Sequence, residues 1–490
     1  TGLVHEELSD FVRRKDQYYP IVKLLLARMV PWKDKARSFH YAPFFGQQIH
    51  LVKNFCGREK YRLLSRAAFT DQPIIALMSP IELAAVNSDR LINTGSLAGA
   101  MEFGPVLKKS YRVPTFGFNN GDANGDGYTD IIIQNVLYIG GDCSNIRDIS
   151  GFPHIQLNAE SLFLNQSDGM LVASLDDARI PETVVFRKIR GIEAQLVSDF
   201  STKPIERLGL IAVVGRLKDV SAYFVLNAIP DLDGDKSDEL LVLQKKGFSV
   251  LFSSQKFSPL KASGVDIRSF IGTSAMLSNL KVGGFADYDG DGKFDFWLQG
   301  QRVDEGVVTP LAMLFSGGAV AEAARAGGES LLGKESLLVE LEMAVSAVEL
   351  PKLANGIGTF NPAFAQTVSL FESDFDGDGV TDTTFTSHYE LGMSGTMYVI
   401  PGRLIRRSIL LKKSTIRLDE CEILGLRAPI AAKLATKPRH YSNHDLDQDG
   451  IADIIIAANG DYAVGHNAGA VYLISGQCIR SVMQKMRCDH

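Results

Sequence analysis

Cysteine is scarce in this 490-residue chain: Cys56, Cys143, Cys421, Cys478 and Cys488 are all it has. Five scattered thiols exclude a disulfide-built scaffold, and no two have the C-x-x-C spacing of a zinc or redox site. Cys478 and Cys488 lie near enough in sequence to bridge, and the odd total leaves at least one thiol unpaired within the chain. Long apolar runs are missing as well. The longest, 21–32, contains Lys23 and Arg28 and falls short of the roughly 20 apolar residues that a bilayer-crossing helix needs, so no membrane span is expected. Positive charge is not in excess either. The 51 Lys and Arg against 57 Asp and Glu leave a net charge of −6, which argues against a nucleic-acid binder held by phosphate contacts. The common catalytic signatures G-x-S-x-G, H-E-x-x-H, G-x-x-x-x-G-K-[ST] and a strand-to-helix G-x-G-x-x-G are also missing. The nine His are dispersed; His440 and His444 precede an acidic stretch, but their strand-like setting does not suit a joint metal site.

What the chain does have is repetition, which organises everything else. The pattern Asp-x-Asp/Asn-x-Asp-Gly-x-x-Asp occurs four times: Asp122, Asn124, Asp126, Asp130; Asp287, Asp289, Asp291, Asp295; Asp374, Asp376, Asp378, Asp382; and Asp445, Asp447, Asp449, Asp453. An altered copy reads Asp231, Asp233, Asp235, Glu239, with Lys236 where the others have Gly. The starts at 122, 231, 287, 374 and 445 are spaced by 109, 56, 87 and 71 residues. The first step is close to twice the second. Near its midpoint, 175–186 reads as a decayed copy that has lost its ligands and kept a strand at Thr183–Phe186, the alternative being a chance acidic pair ahead of a strand.

Each acidic loop is followed by a short β-branched or aromatic run, such as Ile131–Ile133 or Ile454–Ile456, and then by a second run closing on small residues: VLYIGG at 136–141, FSVLFSS at 248–254, LAMLFSGG at 311–318, GTMYVIPG at 395–402 and GAVYLISG at 469–476. Such runs read as buried strands. Short strands recurring every 55 to 87 residues predict an all-β fold, a β-propeller. Six loops give six blades, and strand-like runs at 49–52 and 73–78 supply a seventh, so seven blades are expected, with six as the alternative. Closure is expected to pair strands from opposite ends of the chain, because a propeller must hide its last sheet edge. Two segments do not follow the repeat. Residues 3–30 carry apolar side chains at roughly helical spacing broken by Pro20 and read as two short helices in an N-terminal arm, 1–45, outside the propeller of 46–490. Residues 319–350, rich in Ala, Glu and Leu, read as a helical insertion. Either is expected to serve as a packing cap or as a docking element for another chain.

The chemistry of the loops follows from their spacing. Carboxylates at positions one, three and five of a tight loop converge, and Gly at position six permits the left-handed turn that closes it. Position seven offers a main-chain carbonyl (Tyr128, Ser237, Lys293, Val380, Ile451), and the carboxylate at position nine completes a cage of hard oxygens. That set suits calcium, whereas zinc would want His or Cys. Nineteen of the 57 carboxylates sit in these loops, a crowding that is unfavourable without a cation. Four to five calcium ions are therefore expected, the altered copy being the uncertain fifth. An EF-hand shares the first nine positions but needs Glu at position twelve. Here position twelve is Ile133, Val242, Leu298, Phe385 or Ile456, so helix–loop–helix is excluded.

The unit resembles the FG-GAP repeat of integrin α-subunit propellers and of bacterial FG-GAP/VCBS proteins. The likeness rests on Phe116-Gly117 ahead of GDANGDGYTD, on Gly284-Phe285 ahead of DYDGDGKFD, on DLDQDGIADIIIAANG followed by NAGAVYLISG at 467–476, and on LFLNQSDG at 162–169. It covers about 112–476. The resemblance implies structural calcium sites away from the partner-binding face, and a rigid platform for protein or glycan contacts. The chain departs from the family where the "GAP" triplet survives only as Ala457-Ala458-Asn459-Gly460. The function expected is a non-catalytic, calcium-stabilised platform in adhesion, or a subunit of a surface assembly joined through 1–45 or 319–350. A secreted carbohydrate-active enzyme on the same scaffold is the alternative. Weak calcium sites need about 10⁻⁴–10⁻³ M ion, which points to an extracellular, cell-surface or periplasmic location.

Overall fold

The computed structural model describes residues 4–7, 22–31, 39–43, 50–58, 60–66, 75–79, 91–93, 101–103, 122, 126–133, 136–143, 146, 151–156, 169–173, 182–188, 192–197, 210–217, 226–232, 238–244, 247–251, 262–266, 276–304, 307–321, 347–349, 371–387, 396–400, 401–411, 415–417, 422–427, 438–440, 445–446, 449–458 and 470–486. Its strands fall into seven sheets, mostly of consecutive antiparallel strands. Sheet 1 holds His50–Lys53, Tyr61–Arg66, Ile75–Met78 and Met101–Phe103; sheet 2 holds Ile131–Ile133, Val136–Tyr138 and His154–Gln156. Sheet 3 runs from Gly169–Ala173 to Leu210–Leu217 and sheet 4 from Leu226–Ile229 to Ala262–Asp266. Sheet 5 is built on Met276–Ala286, Asp295–Asp304 and Val307–Phe315, sheet 6 on Phe371–Ser373, Asp382–Ser387, Thr396–Ile400 and Leu424–Arg427, and sheet 7 on Pro438–His440, Ile454–Ala458 and Ala470–Ile474.

Sheets 5, 6 and 7 stack on one another through apolar faces, as strands with period-two side chains allow. In sheet 6, Met397 and Val399 pack with Ile454, Ile456, Tyr472 and Ile474 of sheet 7. Their neighbours Tyr398 and Ile400 point the other way, into a cluster with Tyr288, Trp297 and Leu314 of sheet 5. A strand buried on both faces explains why these runs are continuously apolar rather than alternating. First strands also lie beside first strands: Gly169–Ala173 against Leu226–Ile229, and Met276–Ala286 against Phe371–Ser373. Small sheets stacked face to face with their first strands adjacent make the arrangement of a β-propeller.

The N-terminal residues correct the expectation of a helical arm. Val4–Glu7 adds in parallel to Leu424–Arg427 of sheet 6. Val22–Pro31 is a ten-residue strand that pairs antiparallel with Ala470–Ile474 of sheet 7, and Phe39–Pro43 pairs with it in turn. The described residues before 46, at 4–7, 22–31 and 39–43, are thus part of the sheets; the remainder of the expected arm lies outside the described residues. Over Val22–Pro31 the helical spacing of apolar residues loses to the edge of sheet 7, whose N–H and C=O groups need partners. The expected joining of the two chain ends is observed in this pairing. Of the expected helical insertion, 319–350, residues 319–321 end a helical segment that begins at 317, and Ala347–Glu349 is a strand paired with Val307–Phe315; the rest lies outside the described residues.

Helices that the sequence reading did not expect follow two of the second strands: α1, Gly402–Leu410, and α2, Gly476–Lys485. Each turns its apolar side onto the sheets, α1 burying Leu404 and Ile405 and α2 burying Ile479, Val482 and Met483. The disulfide joins Cys56 to Cys143 across 87 residues, linking the turn after the first strand of sheet 1 to sheet 2. This pairing was not visible from sequence proximity, which singled out Cys478 and Cys488; the fold brings Cys56 beside Gly141 in an isolated bridge. Cys478 packs against the core of sheets 6 and 7, and Cys488, its expected partner, lies outside the described residues.

Candidate metal centre

The acidic loops occupy the same place in each repeat, ahead of the strand whose first or preceding residue is position nine. Two are described in full, 287–295 and 374–382. In both, position one collects the backbone of the turn: Asp287 accepts from the N–H groups of Gly290 (2.7 Å) and Gly292 (3.1 Å). Asp374 accepts from Gly377 (2.7 Å), Asp378 (3.0 Å) and Gly379 (3.0 Å). Position-six glycines take positive φ, 83° at Gly292 and 82° at Gly379, as do Gly127 (87°) and Gly450 (86°), the conformation for which the sequence pattern reserves glycine. Position five receives the N–H of position seven throughout: Tyr128 to Asp126, Lys293 to Asp291, Val380 to Asp378 and Ile451 to Asp449, each at 2.8 Å.

Position nine has a role beyond that of the ninth corner of a cage. Asp130, Asp295, Asp382, Asp453 and Glu239 are all buried. Asp295 accepts N–H from Tyr288 (2.8 Å) and Asp289 (3.0 Å) with Oδ2, and from Gly317 (3.0 Å) with Oδ1. Asp382 does the same with Phe375 (2.8 Å), Asp376 (3.1 Å) and Gly402 (2.7 Å). Asp453 takes Leu446 (2.6 Å) and Gly476 (2.8 Å), Asp130 takes Gly140 (2.9 Å), and Glu239 takes Leu232 (2.6 Å). Gly402 and Gly476 open α1 and α2, whose N-cap residues Pro401 and Ser475 supply no side-chain cap. The loop carboxylate therefore caps a helix from about twenty residues away, where the N–H groups are unsatisfied and the dipole favours negative charge.

This staple explains the glycine that closes each second run. A Cβ on Gly140, Gly317, Gly402 or Gly476 would collide with the main-chain carbonyl of position eight, that of Thr129, Phe294, Thr381 or Ala452 respectively. The signal was present in the sequence as a Gly at the end of four of the five second runs. Its cause is visible only when loop and helix meet.

Three carboxylates come together in each of the two fully described loops. Oxygens of Asp287, Asp289 and Asp291 lie within 4.8 Å of one another, as do those of Asp374, Asp376 and Asp382. The donors are hard oxygens, each with a second lone pair beyond its N–H bond, and this chemistry fits a hard divalent cation. Electrostatics agrees. Burial pushes Asp295 up to about 8, with the charge of Asp289 adding to it against three N–H bonds. Burial also raises Asp382 well above the ordinary carboxylate range, with Asp378 and Asp374 contributing, and raises Asp291. A positive charge in the loop would oppose these shifts and favour the ionised carboxylates. In the remaining loops, Asn124, Asp233, Asp235, Ser237 and Asp447 lie outside the described residues, while Asp122, Asp231 and Asp445 stand at the loop starts, and Asp122 and Asp445 accept backbone N–H groups there.

Neighbouring repeats also reach into these loops. From α1, Arg406 donates to the carbonyls of Asp287 (3.2 Å) and Tyr288 (3.4 Å) in the preceding repeat. In α2, Arg480 holds the matching place four residues after the opening glycine and lies against Gly377. Arg403 pairs with Asp376 and with Asp378 (3.4 Å) of its own repeat.

No protein-family model matches the chain, and no curated protein matches it. Among solved structures it is similar to an Agrocybe aegerita lectin described for specific recognition of non-reducing terminal N-acetylglucosamine, at 13% identity over 88% of this chain and 91% of the lectin, with a TM-score of 0.43. It is also similar to the Nup133 β-propeller domain of Vanderwaltozyma polyspora, at 10% identity over 92% and 99%, with a TM-score of 0.44. A third similarity is to prolyl oligopeptidase B of Galerina marginata, at 9% identity over 92% and 57%, with a TM-score of 0.37. Likenesses at these scores assign the chain no function.

Proposed function

We propose that the chain is a calcium-stabilised, seven-bladed β-propeller of FG-GAP type that serves as a non-catalytic binding platform for a protein or glycan outside the cytoplasm. The observation that carries this reading is a carboxylate triad in each of two loops at equivalent places in consecutive repeats, both loops being joined through position nine to the helical segment that follows. A divalent ion bound there would neutralise the buried charge, fix the loop and, through position nine, fix the helix behind it. Its part is structural. The Asp triads would hold it, while the staple and the arginines position the repeats around it. The Cys56–Cys143 disulfide supports an oxidising compartment, where millimolar calcium is also at hand. Since residues 4–7, 22–31 and 39–43 are committed to sheet pairing, the partner surface in this reading is the propeller itself rather than an N-terminal arm.

The experiment is a glycan array together with capture from culture medium, run with calcium and with chelator on the full chain. Retention of a defined glycan or protein in calcium only is the expected result. Capture of nothing across independent preparations, or capture indifferent to calcium, would contradict the platform role.

A further inference from the structure

Consecutive repeats differ at the residue after the helix-opening glycine. It is Gly318 behind loop 287–295, Arg403 behind loop 374–382 and Gln477 behind loop 445–453. Gly318 brings no side chain, and a Cβ there would press on the Asp291 carboxylate. Arg403 instead lays its guanidinium on Asp376, whose side chain is fully buried, and on Asp378. The guanidinium is held from behind. Its Nε donates to Glu422 (3.1 Å), and Glu422 also accepts from Arg407 (2.7 Å). Burial opposes the charge of Glu422, but the bonds and charges of Arg407 and Arg403 outweigh it and keep the carboxyl below its usual range. A buried carboxylate needs a partner to stay charged, and a guanidinium cannot lose its proton to escape an incoming cation.

We propose that Arg403 is a tethered counter-ion of loop 374–382, so that this loop accepts a divalent cation only by displacing the guanidinium from Asp376 and Asp378 and is the weaker of the two complete sites. The inference rests on the cation-binding reading above. It assigns loop 287–295 as the site filled at low calcium and loop 374–382 as the site filled last. Because α1 carries both Arg403 and Arg406, which holds the Asp287 and Tyr288 carbonyls, moving Arg403 would also be felt at the tighter loop.

The test is calcium titration of the metal-depleted full chain against a chromophoric chelator. Arg403→Gln should tighten one ion by at least about tenfold, the scale expected from removing a like charge at contact distance. Adding Asp378→Asn to that variant should abolish the tightened ion, and Arg403→Lys, which keeps the charge, should bind as the parent does. An Arg403→Gln isotherm that matches the parent's or is weaker overturns the inference while leaving the cation reading intact. A parent that binds no calcium defeats the cation reading instead. Gain of one ion by Arg403→Gln in that case would still uphold the counter-ion role, and no gain would end it. Should Arg403→Gln not fold without metal, refolding at a calcium concentration below that which shifts the parent's melting supports the inference, and failure to refold at any concentration overturns it.

Discussion

Replacing Asp295 by Ala tests the staple that joins each acidic loop to the segment behind it. The side chain is fully buried and accepts three N–H groups, from Tyr288, Asp289 and Gly317, at 2.8, 3.0 and 3.0 Å. Alanine leaves all three without that acceptor, in a cavity too closed for water to replace it freely. An unsatisfied buried donor costs about 1–3 kcal/mol, so the loss should reach about 3 kcal/mol or more, even after relief of the carboxylate's own desolvation. Asp289→Ala is the control, because Asp289 accepts a single backbone N–H in the turn, that of Asp291, and should cost about 1 kcal/mol. Urea unfolding of metal-depleted protein measures the difference, and amide hydrogen exchange at Tyr288 and Gly317 places it. If Asp295→Ala loses no more than Asp289→Ala, or if the Gly317 amide is as protected as in the parent, position nine is not a staple.

Three other outcomes follow from the same geometry. Gly402→Ala or Gly476→Ala drives a Cβ into the carbonyl of Thr381 or Ala452, an overpacking cost of about 1–3 kcal/mol; unchanged denaturation midpoints would refute the close approach. In metal-depleted protein, Asp295 and Asp382 have folded-state values raised above their unfolded ones. Their contribution is therefore fully present below about pH 4 and lost as pH rises through the folded-state values, about 8 for Asp295. Saturating calcium holds both carboxylates ionised and reverses the trend, so melting curves at pH 5 and pH 8 with and without the ion should cross in order, and parallel pH profiles would count against it. Finally, Cys56 and Cys143 close a loop of 87 residues, for which chain entropy predicts a loss of about 4–5 kcal/mol on replacing both by Ser; a loss under about 1 kcal/mol would show that the link constrains little.

Much of this was legible in the residues. The acidic loops, the strands after them and the positive-φ glycines stand where the spacing put them, because hairpin loops and buried strands are local objects with local signatures. The N-terminal strand was not legible: Val22–Pro31 is rich in residues that favour helices, and its conformation is fixed by Ala470–Ile474, more than 400 residues away. The staple was half legible. Its glycine and its carboxylate were both visible, but the bond between Asp382 and Gly402 spans 20 residues, beyond the reach of a loop pattern. Arg403 and Arg406 carry no signal in the repeat pattern, because their partners lie in loops that only the fold brings to α1, and the disulfide pairs cysteines 87 residues apart.

The central claim is that these loops carry bound divalent ions which hold the repeats together. Elemental analysis of carefully desalted protein, paired with its melting temperature before and after chelation, tests it most directly. The account predicts about four to five calcium ions per chain and a melting temperature that drops on their removal and returns when calcium is restored. Protein that carries no alkaline-earth ion and melts alike with and without added calcium would contradict it.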